Sequence, residues 1–167
     1  NDNSFAALKE AREVVTWGHA VCGGDSSAVA DRLAAGVSSI VGNGLAFAAL
    51  KEAGEVVTWG NAVCGGDSSA VADRLAAGVS SIVGNGQAFA ALKEAGEVVT
   101  WGAADCGGDS CAVAESLVAG VSSIVGNGQA FAALKEAGEV VTWGAADCGG
   151  DSSAVADRLA AGVSSIV

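Results

Sequence analysis

The sequence predicts an all-β repeat protein with short helical segments, and three observations carry that expectation. A fourteen-residue stretch, Phe-Ala-Ala-Leu-Lys-Glu-Ala-Gly-Glu-Val-Val-Thr-Trp-Gly, begins at Phe131 and recurs at Phe89, Phe47 and, with one change, Phe5, always 42 residues apart. Such a period marks a propeller, a solenoid or another array of one supersecondary unit, and one unit cannot bury its apolar face alone. Within the stretch, period two puts Val57 and Trp59 on one strand face. Glycines stand between the candidate strands, where tight hairpins need a positive φ.

The repeats run over residues 5–46, 47–88, 89–130 and 131–167, and we read 1–167 as a single repeat domain. In the second repeat Phe47 to Lys51 reads as a strand, Glu52-Ala53-Gly54 as a turn, and Glu55 to Trp59 as the returning strand, with Glu55 at its outer end. Arg12 replaces the turn glycine in the first repeat, so that hairpin is expected to be strained or differently shaped. Asn61 to Asp67 reads as a loop containing Gly65-Gly66. Asp67 or Ser68 then fits an N-cap, Val71 and Leu75 share a helical face, and Gly78 fits the position just past the helix, which predicts two to three turns. Val79 to Val83 reads as a third strand, and Gly84-Asn85-Gly86 turns the chain into the next Phe.

The copies differ in an ordered way. Repeats one and two share Ala-Val-Cys (Cys22, Cys64), three and four share Ala-Ala-Asp-Cys (Cys106, Cys148), and Arg12, Cys111, Ser116 and Val118 are isolated changes. This pattern fits tandem duplication in stages. There is no Met and no charged-then-apolar leader at Asn1, so we expect a processed product, a fragment or part of something longer.

Eight Lys and Arg against 19 Asp and Glu give a formal charge of −11. That surface repels phosphate backbones and anionic lipid, which argues against nucleic-acid binding and leaves basic or neutral partners. The longest uncharged run, Leu117 to Leu134, contains too many Ser, Gly, Asn and Gln residues to insert directly into a membrane.

Val79-Ser-Ser-Ile82, a Gly/Asn turn, Ala91-Leu-Lys-Glu-Ala-Gly-Glu-Val-Val-Thr-Trp-Gly102 and then Gly107-Gly108 together resemble the repeat of the regulator of chromosome condensation family. The resemblance covers about two thirds of each repeat. The family's His before Ala-Leu is replaced by Ala46, Ala88 and Ala130, and its Gly-Gln-Leu-Gly by Gly65-Gly-Asp-Ser68. The resemblance implies propeller-type blades with Ala-rich strands near a crowded axis, in a closed or partial ring. A β-solenoid-like open array is the alternative. It implies no single activity, since the family includes exchange factors for small GTPases and domains of ubiquitin ligases. Asn1 to Ser4 could stand in for the turn before Phe5.

Candidate chemistry is sparse. A nucleophilic Ser in Gly-Gly-Asp-Ser-Ser needs a base, and His19 is the one His in the chain. A capped helix start explains these residues better than a hydrolase or a calcium-binding ring of Asp25, Asp67, Asp109 and Asp151, and the four Asp residues are instead a candidate acidic interaction surface. The recurring cysteines read as small buried residues, with a local Cys106–Cys111 pairing as the alternative. Phe5, Trp17, Phe47, Trp59, Phe89, Trp101, Phe131 and Trp143 read as packing residues between units, with an aromatic sugar-binding ring as the alternative.

No catalytic, cofactor or metal site is expected. Repetition presents one surface four times, whereas catalysis brings unlike groups to one place. The function expected is therefore a non-enzymatic scaffold with protein partners, or a structural subunit of a larger assembly or homo-oligomer. The alternatives are a multivalent small-ligand or carbohydrate-binding module and, on family analogy alone, an exchange factor.

Overall fold

A computed structural model describes all residues 1–167. Its basic unit is a hairpin: β1 (Ser4–Leu8) with β2 (Val14–Gly18), β4 (Ala46–Lys51) with β5 (Val56–Gly60), β7 (Ala88–Lys93) with β8 (Val98–Gly102), and β10 (Ala130–Lys135) with β11 (Val140–Gly144). Each keeps one register, with Phe opposite Trp: Phe5 with Trp17, Phe47 with Trp59, Phe89 with Trp101 and Phe131 with Trp143. The turn fixes that register. Gly54 N–H donates to the Lys51 carbonyl at 2.9 Å and Lys51 N–H to the Glu55 carbonyl at 2.8 Å, with Gly54 at φ 78°.

Arg12 makes the same turn. It sits at φ 63°, the one non-glycine residue with a positive φ, and its N–H reaches the Lys9 carbonyl at 2.9 Å. The two turn bonds and the strand pairing hold the side chain in the left-handed region. The hairpin is therefore strained but keeps its shape.

The third strands, β3 (Val37–Gly42), β6 (Val79–Gly84) and β9 (Val121–Gly126), pair forward across the Gly-Asn-Gly turn. Three antiparallel sheets result, ordered β3-β4-β5, β6-β7-β8 and β9-β10-β11, beside a two-stranded sheet β1-β2. A repeat counted from Phe thus contributes its last strand to the following sheet. Asn43 builds the turn, its Oδ1 accepting from Leu45 N–H and Ala46 N–H while its Nδ2 donates to the Cys64 carbonyl at 2.6 Å. Asn1 Nδ2 donates likewise to the Cys22 carbonyl at 2.8 Å, so Asn1 to Ser4 does replace that turn.

Between the sheets the chain forms short turns instead of one helix of two to three turns. Ser69–Val71 is a 3-10 turn and Ala72–Leu75 a single α turn, α2; α1 (Ala30–Leu33), α3 (Ala114–Leu117) and α4 (Ala156–Leu159) match it. The break lies at Val71, whose φ of −122° and ψ of 14° leave the helical region. Leu75 is buried against the strands and Val71 packs partly beside it. Gly78, at φ 74°, lets the chain leave the turn.

The core lies between sheets. Ala46, Ala48 and Ala49 of the middle strand β4 are fully buried, and alternate residues join different clusters: Ala49 and Val57 pack toward β1-β2, Ala48 and Val56 toward β6-β7-β8. Small side chains suit a strand covered on both faces, since close-packed interiors leave no room for extra methylenes. Lateral contacts join β1 to β3, β3 to β6 and β6 to β9, and the turns link in series: Gly44 N–H to the Gly86 carbonyl at 3.1 Å and Gly86 N–H to the Gly128 carbonyl at 2.9 Å.

Candidate functional site

Each sheet-to-sheet junction presents the same three features, beginning with an aromatic clamp. Phe47 and Trp59 stack with ring centroids 5.3 Å apart, and Trp59 Nε1 donates to the Gly23 carbonyl of the preceding unit at 3.0 Å. Trp101 does the same to Gly65 and Trp143 to Gly107, each at 3.1 Å. A Cβ on Gly23 would stand 2.6 Å from Phe47 Cδ2, and φ there is +92°, so this position needs glycine on two counts. Phe5 and Trp17 stack in the same way but have no such neighbour, and they are 62% and 51% exposed.

The second feature is the acidic loop. Asp25, Asp67, Asp109 and Asp151 are exposed, each Oδ1 accepting the backbone N–H two residues on, at 2.9 Å. For Asp25, Asp67 and Asp151 that N–H holds the carboxyl below its usual range; for Asp109 the Cys111 thiol does so first, followed by the backbone N–H. The Asp thus supplies the turn cap. The serine after it turns elsewhere: Ser68 Oγ lies 2.9 Å from Thr58 Oγ1, and Ser26 and Ser110 repeat the pair with Thr16 and Thr100. These serines are structural links, with hydroxyl partners in place of a base.

The third feature is a groove between neighbouring units. Grooves of about 370, 460 and 390 Å³ lie beside Thr58 and Asp67, Thr100 and Asp109, and Thr142 and Asp151. In the first groove Arg32 bridges to Glu55 at 2.7 Å, and at the second Arg74 bridges to Glu97 at 2.8 Å. The third has Ser116 at the arginine's place, which leaves Glu139 without that cation.

All five cysteines are free. Cys22, Cys64 and Cys106 are buried, Cys148 is half-buried and Cys111 exposed, so Cys106 and Cys111 are not joined. Burial pushes the Cys64 and Cys106 thiols up. No three His, Cys, Asp or Glu side chains gather where one metal ion could be held, and the four Asp residues do not converge. No helix is long and apolar enough to cross a membrane.

Antiparallel sheets following one another along the chain, joined through their first strands and turns, define this as a β-propeller-type repeat protein. The fold is similar to that of the regulator of chromosome condensation, RCC1. Prp20p of Saccharomyces cerevisiae, in a structure concerned with its binding to Gsp1p and histones, superposes with a TM-score of 0.54 and 18% identity over 86% of this chain and 42% of its own. Yeast RCC1 (Prp20) bound to Kap60 gives 0.55, with 18% identity over 86% and 40%. Human WBSCR16 gives 0.53, with 21% identity over 85% and 45%. This chain spans less than half of each. No protein-family profile and no curated protein matches the sequence.

Proposed function

We propose that the chain is a non-enzymatic scaffold that binds a basic protein partner, with residues 1–167 acting as one repeat domain. The observation that carries this reading is the groove repeated at 42-residue intervals, each time with an Asp carboxylate fixed by its own loop. A partner with regularly spaced Lys or Arg gains from several equivalent contacts on one rigid body. The charge of −11 adds attraction at long range. Asp25, Asp67, Asp109 and Asp151 form the interaction surface, while the Phe and Trp pairs hold the units together. Protein partners of the structural neighbours, Gsp1p, histones and Kap60, support the same class of activity.

Fluorescence anisotropy with a labelled Lys/Arg-rich peptide tests it. We expect binding that weakens with salt and falls about 10-fold or more in the quadruple Asp25→Asn, Asp67→Asn, Asp109→Asn, Asp151→Asn variant. Equal binding of an acidic peptide, or no loss in the variant, would exclude this surface. A signal on a glycan array without peptide binding would favour the carbohydrate module instead.

A further inference from the structure

The three grooves are built alike, and two of them hold a guanidinium of the chain's own. In the second, Arg74 of α2 reaches the next hairpin, where its Nε and Nη2 donate to Glu97 Oε1 at 3.0 and 2.8 Å and its Nη2 also to the Val98 carbonyl at 3.0 Å. In the first, Arg32 of α1 donates to Glu55 Oε1 at 2.7 Å and to the Val56 carbonyl at 3.2 Å. The third groove keeps the acceptors and lacks the donor. Glu139 and Val140 line it, and Ser116 stands on α3 where α1 and α2 carry arginine. The hairpin lysine does not take the arginine's place: Lys135 Nζ lies 3.9 Å from Glu139 Oε2, as Lys93 Nζ does from Glu97 Oε2, so Glu139 Oε1 is left without a cation. Asp151 lines the same groove, its carboxylate held charged by the Ser153 N–H, and no Lys or Arg lines it.

We propose that this third groove is an arginine-binding site, in which Glu139 Oε1 and the Val140 carbonyl receive a guanidinium of a partner protein as Glu97 and Val98 receive that of Arg74. This rests on the reading of the chain as a binder of basic proteins and names the side chain that is recognised. Arginine fits better than lysine because a carboxylate and a carbonyl lie side by side. The planar fork of a guanidinium spans both at once, whereas an ammonium is a compact, strongly hydrated point charge. The short Ser116 side chain leaves that place in the groove of about 390 Å³ open to a residue from outside.

The other two grooves are already filled at this position, so a partner's arginine has one place to go. The site therefore sets the register of a Lys/Arg-rich segment along the array. The four Asp loops repeat, and contacts with them alone would be equally good after a slip of one unit.

Titration of N-acetyl-arginine amide into the 167-residue chain at low salt, followed by saturation-transfer NMR, tests this, with the lysine and citrulline amides as companion probes. We expect the arginine probe to bind about 10-fold more tightly than either. Glu139→Gln should weaken it about 10-fold, and Ser116→Arg, which supplies the guanidinium from the chain itself, should abolish its binding. Adding Arg74→Ser to Ser116→Arg should restore binding, now at Glu97. These side chains are exposed or half-buried, and each variant should keep the wild-type circular dichroism spectrum. Equal binding of the three probes, arginine binding that survives Ser116→Arg, or no binding at about 10 mM overturns the inference. An arginine site that depends on Glu139, with peptide affinity unchanged in the quadruple Asp variant, would uphold the site and sink the wider acidic surface. Peptide binding that the quadruple variant weakens, with no arginine signal, would do the reverse.

Discussion

The first and second hairpins carry nearly the same sequence and the same local geometry, yet they live in different environments. Phe5 and Trp17 stack with centroids 5.3 Å apart and planes 20° from parallel, and Phe47 and Trp59 have the same values. Only the second pair is buried. Stacking is therefore a property of the hairpin, set by its register, whereas burial is conferred by the preceding unit. The contrast separates what one repeat encodes from what its neighbour adds.

Truncating the two tryptophans breaks the comparison most sharply. Trp59→Ala should cost about 3–5 kcal/mol, since it removes a buried ring and its indole bond. Trp17→Ala should cost less than about 1 kcal/mol, since half the ring is already in water. Urea unfolding followed by circular dichroism measures both, and equal costs would show that the hairpin, not the junction, holds the ring.

A pair of glycines sharpens the same contrast. Gly65 and Gly149 have φ values of +94° and +93°, so alanine strains the backbone equally at both. A Cβ on Gly65 also lies 2.6 Å from Phe89 Cδ2, and on Gly149 it meets no ring. Gly65→Ala should cost about 2–4 kcal/mol and Gly149→Ala about 1–2 kcal/mol. The difference between the two measured by urea unfolding is the steric part of the junction.

The smallest effect concerns the turn. Arg12→Gly should stabilise the chain by about 1 kcal/mol by relieving a positive φ in a side-chain-bearing residue, offset in part by the freedom glycine adds to the unfolded chain. Thermal unfolding should show a rise of a few degrees. A fall would mean that the Arg12–Glu52 ion pair, at 3.6 Å, contributes more than the strain.

Much of the fold was legible because its signals are local. Gly54 marks the hairpin, Phe47 and Trp59 mark its strands, and Gly78 marks the exit from the helical turn. The helix length was overestimated because the Val71 and Leu75 spacing fits a helix, while the break at Val71 leaves no mark in the residue types. The pairing of β3 with β4 across the repeat boundary was hidden, since a periodic sequence reads alike wherever it is cut. The acidic loops were visible as residues, but the grooves they border arise from two neighbouring units and have no signature within one. The exposure of the first aromatic pair was invisible for the same reason: Phe5 and Phe47 differ in their surroundings, not their identity.

The indole bonds, at separations of 36 residues, and the Asn-to-carbonyl bonds, at 21, join each unit only to itself or the next. The array therefore behaves as a linear chain of coupled segments, and its unfolding should begin at the ends. Closing each junction requires ordering only a few dozen residues, so assembly can start in the middle and spread outward without first bringing distant parts of the polypeptide together. Adding or removing one whole repeat would lengthen or shorten this process without changing its steps.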